Sequence, residues 1–242
     1  MLQIKIFQVN PLGANCVVLW EDGGAPRPEA AADLPCAIVD PGFYRPDEED
    51  MVLDFLRDNR LTPDAILLTH GHFDHIWSVA SLVKRFGCPA YLSVADDPIV
   101  RASSSFLERL QLGKDVEPFE YQDVTDGQIL QAGGATWQVI TTPGHSPGSV
   151  SYYCADSAVI LTGDTLFAGS IGRSDLKGGD YDALMKSIMD KLMTLPGDTD
   201  VVPGHGHPTT IGRESATNPF LLPFNEPDTA WWDQNGIELN GE

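Results

Sequence analysis

The chain has 242 residues, 42% of them hydrophobic, with 15 Lys and Arg against 35 Asp and Glu for a formal net charge of −20. Such a composition predicts a folded chain with ample core material, in one large domain or two small ones. So acidic a chain repels phosphate backbones and anionic membranes, which argues against nucleic-acid and membrane partners, and an anionic small substrate would need a local positive site.

The N-terminal segment MLQIKIFQV alternates apolar and polar residues, with Leu2, Ile4, Ile6 and Gln8 on one side, and predicts a half-buried strand. It has neither the charged start nor the long apolar run of a signal peptide. Residues 15–20 and 36–39 read as further short strands. Residues 21–35 between them are rich in Gly, Ala and Pro, have no period, and read as a loop. Residues 47–60 predict a helix, with Met51, Val52, Phe55 and Leu56 as its apolar stripe and an acidic first turn that suits the positive end of the helix dipole.

Residues 64–69 read as an apolar strand. After the segment HGHFDH a helix is expected with Ile76, Val79, Ala80, Val83 and Phe86 on one face. Residues 89–93 read as a strand and 95–112 as a less regular helix. From 128 to 163 the pattern predicts three strands broken at PGHSPG. Residues 181–195 return to helix, with Leu184, Met185, Ile188 and Leu192 inward and Asp180 as N-cap, and 200–202 form a last strand before PGHGH. Strands lead and helices follow in each of two comparable halves, the pattern of a layered α/β fold with helices outside two packed sheets. Residues 223–242 form an acidic tail in which Trp231 and Trp232 are expected to dock on the body, with docking on a partner as the alternative.

The four cysteines, Cys16, Cys36, Cys88 and Cys154, are scattered through apolar stretches without a CxxC pair, and read as small buried hydrophobes in a reducing compartment. No apolar run approaches the roughly 18 residues that cross a bilayer, so a cytoplasmic protein is expected. No feature of the sequence sets an oligomeric state.

All six histidines fall in three short segments: HGHFDH at 70–75, PGHS at 143–146 and PGHGH at 203–207. Each segment begins where a predicted strand ends, a placement that fixes the backbone while the loop aims the side chains. A lone histidine is most often a satisfied core or surface residue, but three of them with an Asp inside six residues are hard to place that way. His70 and His72 can converge on one ion, with Asp74 and His75 facing a second. Imidazole and carboxylate ligands suit zinc, iron or manganese, whereas calcium takes oxygen alone.

HGHFDH resembles the HxHxDH signature of the metallo-β-lactamase superfamily. PGHSPGS, GDTLFAGSIGRSD at 163–175 and PGHGHPTT are similar, in order and spacing, to its glyoxalase II-like branch. The likeness runs from about residue 2 to 220. It implies an α/β fold, an αββα sandwich of two packed mixed sheets with helices on the outer faces, spanning 1–222 ahead of the tail. By matching motif positions, His70, His72 and His145 would hold one metal ion, Asp74, His75 and His205 a second, and Asp164 would bridge them, with His207 outside the set. Asp74 and Asp164 are thereby the catalytic carboxylates. Zinc is the expected metal, with iron or manganese as alternatives.

The resemblance implies hydrolysis of a small-molecule thioester, such as a glutathione thioester, by a metal-bound hydroxide. A thiolate leaves readily near neutral pH and needs no strong general acid, and the motifs leave no His or acid over for that role. Arg173 is the candidate for gripping a substrate carboxylate and Lys177 a weaker one; a structural ion pair of Arg173 with Asp175 or Asp180 is the competing reading. Two-domain glyoxalase II carries an extra C-terminal helical domain for glutathione, for which the stretch after His205 is too short, so the expected likeness is to the short single-domain bacterial proteins. The alternative is a persulfide dioxygenase of the same fold, with one iron held by His70, His145 and Asp164.

Overall fold

The structure, a computed structural model, describes residues 1–24, 32–111 and 115–222. Part of the expected 21–35 loop and the whole acidic tail with Trp231 and Trp232 lie outside the described residues. In chain order the first half runs β1 (Leu2–Val9), β2 (Ala14–Glu21), β3 (Leu34–Val39), α1 (Pro46–Asn59), β4 (Leu61–Leu67), α2 (Phe73–Ile76), α3 (Val79–Phe86), β5 (Ala90–Tyr91) and α4 (Asp97–Leu110). The second runs β6 (Ile129–Ala132), β7 (Ala135–Thr141), β8 (Val150–Cys154), β9 (Val159–Gly163), β10 (Leu166–Phe167), β11 (Ser170–Ile171), α5 (Tyr181–Ser187), β12 (Asp200–Pro203), β13 (Thr209–Thr210) and α6 (Ile211–Thr217).

Two mixed sheets result, one in the order β1-β2-β3-β4-β5 and one in the order β13-β12-β9-β8-β7-β6. Strands buried on both faces alternate between two cores, as a period of two requires. In β2, Cys16 and Val18 enter the core beneath α1 and α3, while Val17 and Leu19 enter the core between the sheets. In β9, Val159 and Leu161 join the inter-sheet core, and Ile160 joins a third core with Leu184, Ile188 and Ile211 of the second helical layer. Helix, sheet, sheet and helix are therefore stacked in that order, the αββα sandwich expected from the sequence. Trp137 and Tyr152, fully buried, fill the middle of it.

Four local expectations are corrected. The helix after HGHFDH is two helices, α2 and α3, broken at Trp77–Ser78, because the Ser78 N–H donates to the Pro41 carbonyl at 3.0 Å and its hydroxyl to the Phe43 carbonyl at 3.1 Å. The buried face of α3 includes Leu82 in place of Ala80. The stretch 128–163 holds four strands, since a tight connection at Gly133–Gly134 separates β6 from β7. Helix α5 is shorter than its apolar pattern: it passes into a π-helical turn at Ile188–Leu192, although Asp180 caps it as expected, accepting from the Ala183 N–H at 3.0 Å. Among the described residues no helix is long and apolar enough to cross a membrane.

Candidate metal centre

Parallel pairing brings the histidine segments together. Because β3 runs parallel to β4, Asp40 and the Thr69–His70 pair leave the first sheet at the same end. Because β9 runs parallel to β12, Asp164 and His205 leave the second sheet together. Asn15 of β2 joins the two: its N–H donates to the Gly204 carbonyl at 2.7 Å and its amide to the Pro203 and Gly206 carbonyls at 2.9 and 3.0 Å. Residues 204–206 have to pass very close to Asp164, and a Cβ at Gly204 would run into its carboxylate.

The seven residues expected to hold metal meet at this edge. His70, His72 and His145 offer ligand atoms within 4.8 Å of one another, and so do Asp74, His75 and His205. Nδ1 of His72 lies 2.8 Å from Nε2 of His145, and the Nε2 atoms of His75 and His205 lie 3.2 Å apart. The Asp164 carboxylate sits between the two groups, 3.5 Å from His145, 3.6 Å from His75 and 3.5 Å from His205. Asp74 reaches the second group only, at 3.4 Å from His205 and 3.6 Å from His75. His207 is exposed, as expected for a residue outside the set.

Hydrogen bonds behind the rings fix which nitrogen faces the centre. Thr69 donates its hydroxyl proton to Asp40 at 2.6 Å, so at 3.0 Å from Nδ1 of His70 it can only accept. His70 is thus protonated at Nδ1 and bare at Nε2. Nδ1 of His75 donates to Asp40 at 3.0 Å, and Nδ1 of His145 donates to the Arg173 carbonyl at 2.7 Å. Nε2 of His70 and Oδ1 of Asp164 are buried without any hydrogen-bond partner. Two buried acceptors without a donor are costly, of order 1–3 kcal/mol each. A cation relieves that cost, and neutral imidazoles with carboxylates are the donor set that zinc, iron or manganese takes.

The charges follow the same division. Burial, helped by the surrounding imidazoles, holds His70 far below the usual histidine range, and burial with His145 holds His72 down to about 3. Burial also opposes a charge on His75, but Asp74, Asp164 and Asp40 outweigh it and push His75 up to about 10. Burial alone would raise Asp74; His75 and His205 instead keep it well below the usual carboxylate range. His70 and His72 are therefore held neutral, while His75 and Asp74 form a balanced pair of ions.

The two expected substrate contacts are both exposed. Arg173 is exposed and pairs bidentately with Asp175 at 2.8 and 2.9 Å, so of the two expected ion-pair partners it is Asp175 that it meets. Its positive charge nonetheless contributes to holding His72 unprotonated. Lys177 is exposed nearby in sequence. Asp40 and Thr69, which set two of the ring orientations, were absent from the residues singled out in the sequence. The only local signal was the Asp-Pro-Gly turn that ends an apolar strand.

The profile of the metallo-beta-lactamase superfamily matches residues 9–205. The chain is 37% identical over 219 residues to a probable metallo-hydrolase, YqgX, of Bacillus subtilis, covering 90% of this chain and 96% of that protein. It is 31% identical over 230 residues to the hydroxyacylglutathione hydrolase GloC of Haemophilus influenzae, covering 91% and 98%. Among solved structures it is similar to the BLEG-1 B3 metallo-beta-lactamase, with a TM-score of 0.78 at 38% identity, covering 90% of this chain and 99% of that one. It is equally similar to TTHA1623 in a di-iron-bound form, with a TM-score of 0.77 at 37% identity, covering 90% and 100%.

Proposed function

The chain belongs to the metallo-beta-lactamase superfamily, and from that membership we propose that it is a metal-dependent hydrolase of thioesters, with glutathione thioesters as the substrate class. The observation that carries the hydrolase reading is the pair of buried atoms without a hydrogen bond, Nε2 of His70 and Oδ1 of Asp164, at the meeting point of two ligand groups. In this reading His70, His72 and His145 hold one ion, Asp74, His75 and His205 hold a second, and Asp164 lies between them. Zinc is the proposed metal. Ions held there supply Lewis acidity, which brings the pKa of water towards about 7 and polarises an acyl oxygen.

The remaining work falls to the chain's own residues. Asp40, Thr69 and the Arg173 carbonyl keep His70, His75 and His145 in the tautomers that present Nε2 to the centre. Asp74 is held ionised between His75 and His205, so it orients and balances charge rather than donating a proton to a leaving group. A thiolate, with an ordinary thiol pKa of about 8.5, departs without such a donor, and an amine does not. This favours thioesters over β-lactams, and the likeness to GloC along nearly its whole length points the same way. Arg173 and Lys177 are the proposed contacts for an anionic substrate, with Arg173 exchanging its Asp175 partner for a substrate carboxylate.

Metal content by elemental mass spectrometry, followed by initial rates on hydroxyacylglutathione thioesters and a chromogenic cephalosporin, tests this reading. The expected result is about two ions per chain, mainly zinc, with thioester turnover that chelation abolishes and zinc restores. A single iron with oxygen uptake on glutathione persulfide would overturn it in favour of a dioxygenase. Faster turnover of the cephalosporin than of any thioester would overturn it in favour of a lactamase.

A further inference from the structure

Asp96 stands immediately before α4, in the position where an aspartate ordinarily caps its own helix. It does not do so: its side chain makes no bond to the first turn of α4. The residue is fully buried, and its carboxylate turns to two loops from different sheets. Oδ2 accepts the Gly71 N–H at 2.7 Å and the Ser146 hydroxyl at 2.7 Å, and Oδ1 accepts the Gly148 N–H at 2.6 Å. Gly71 lies between His70 and His72, in the loop after β4 of the first sheet. Ser146 follows His145, in the loop between β7 and β8 of the second.

Both glycines are packed against this carboxylate. A Cβ at Gly148 would come 2.7 Å from Asp96 Cγ, and one at Gly71 would come 3.0 Å from Asp96 Cβ and 2.9 Å from Val100 Cγ2. The two loops thus close on Asp96 at backbone distance, and the contact they set across it is the 2.8 Å approach of His72 to His145. All three of its bonds go to N–H and O–H donors of the two loops, so the carboxylate is committed to holding them.

We propose that Asp96 is a positioning residue that fixes the spacing of His70 and His72 relative to His145, and so sets the affinity of the three-histidine group for its ion. The inference rests on the metal-centre reading above. An asparagine at 96 places an amide N–H against one of three donors, so the two loops cannot both stay in register. None of the three donors to Asp96 is a neighbour in sequence of Asp74, His75 or His205. Glu214 is the natural control. It is equally buried and also accepts three donors, the Gly169 N–H, the Thr209 hydroxyl and the Asn218 amide, yet none of these adjoins a ligand of the three-histidine group.

The test is zinc binding, measured by competition with a chromophoric chelator, in the full chain carrying H205A so that the three-histidine group is read alone. Adding D96N should weaken zinc by about tenfold to a hundredfold, the range for residues that orient a metal's ligands. Adding E214Q should leave the constant unchanged. If D96N does not fold, S146A removes one of the three bonds and should weaken zinc several-fold. Equal zinc constants with and without D96N, or an equal loss in E214Q, would overturn the clamp alone. An unsubstituted chain that takes up no zinc would overturn the metal-centre reading and the clamp with it.

Discussion

Asp40 shows how far one carboxylate can reach. Its Oδ1 accepts the Thr69 N–H at 2.8 Å, and its Oδ2 accepts both the Thr69 hydroxyl and Nδ1 of His75. Through Thr69 it also sets the tautomer of His70, so one residue governs a ring in each ligand group. Asp40 has φ 48°, a left-handed conformation that Asp and Asn tolerate better than most residues. Asp40→Asn is therefore the clean test, because it changes the acceptor without adding backbone strain. The amide leaves one donor facing another, so the His75 ring loses the acceptor that keeps its Nδ1–H turned away from the centre. We expect zinc affinity to fall by about tenfold to a hundredfold and stability by about 1–3 kcal/mol, read by chelator competition and urea unfolding. An unchanged zinc constant would show that the ring orientations do not depend on Asp40.

At the scale of elements, what the sequence made legible was periodicity and what it hid was partnership. The alternation in β1, the cap and stripe of α5, and the clustering of all six histidines at strand ends are local, and each is visible in a window of a few residues; in α1 the stripe was legible at Val52 and Leu56 but not at Met51, which is exposed. The break between α2 and α3 depends on the Pro41 and Phe43 carbonyls, far upstream in the chain, and Asp40 is defined by contacts 29 and 35 residues away. No local pattern carries such information. The β6–β7 hairpin is different, because its Gly133–Gly134 pair is a hairpin signal that a count of apolar runs passes over. Its two glycines do unequal jobs. Both have positive φ, but a Cβ at Gly133 would come 2.6 Å from the Leu19 carbonyl oxygen and 2.9 Å from the Ala37 nitrogen, whereas at Gly134 the nearest atom is Glu21 Cβ at 3.3 Å. Gly134→Ala should cost only the left-handed backbone, about 1–2 kcal/mol. Gly133→Ala adds a collision with the backbone of β2 and β3 and should cost clearly more, or prevent folding. Urea midpoints of the two variants check this, and equal midpoints would contradict it.

Over the whole molecule, the centre is where the two sheets of the sandwich are tied, since His70, His72, Asp74 and His75 follow strands of the first and His145, Asp164 and His205 follow strands of the second. Protonation of these residues is therefore linked to global stability, and in the metal-free chain the two ligand groups pull in opposite directions. His70 and His72 are held below their unfolded value of about 6.5, so the stability they allow is complete above that pH and is lost as pH falls, when the unfolded chain takes up protons that the folded one refuses. His75 is raised to about 10, so its contribution is complete below about 6.5 and is lost as pH rises towards 10, when the unfolded chain releases a proton that the folded one keeps. Metal-free protein should accordingly be most stable near pH 6.5 and weaken on both sides. Bound metal takes the place of the His75 proton and neutralises the same carboxylates, so loading should abolish the alkaline fall and raise stability throughout. The net charge of −20 adds a repulsion of its own, and salt of about 0.5 M shortens its range to a few ångströms, leaving the buried pairs largely unscreened. Urea midpoints from pH 5 to 9 at that salt, with chelator and with zinc, decide the matter: a metal-free midpoint that climbs steadily to pH 9 would rule out a charged His75 between its three carboxylates.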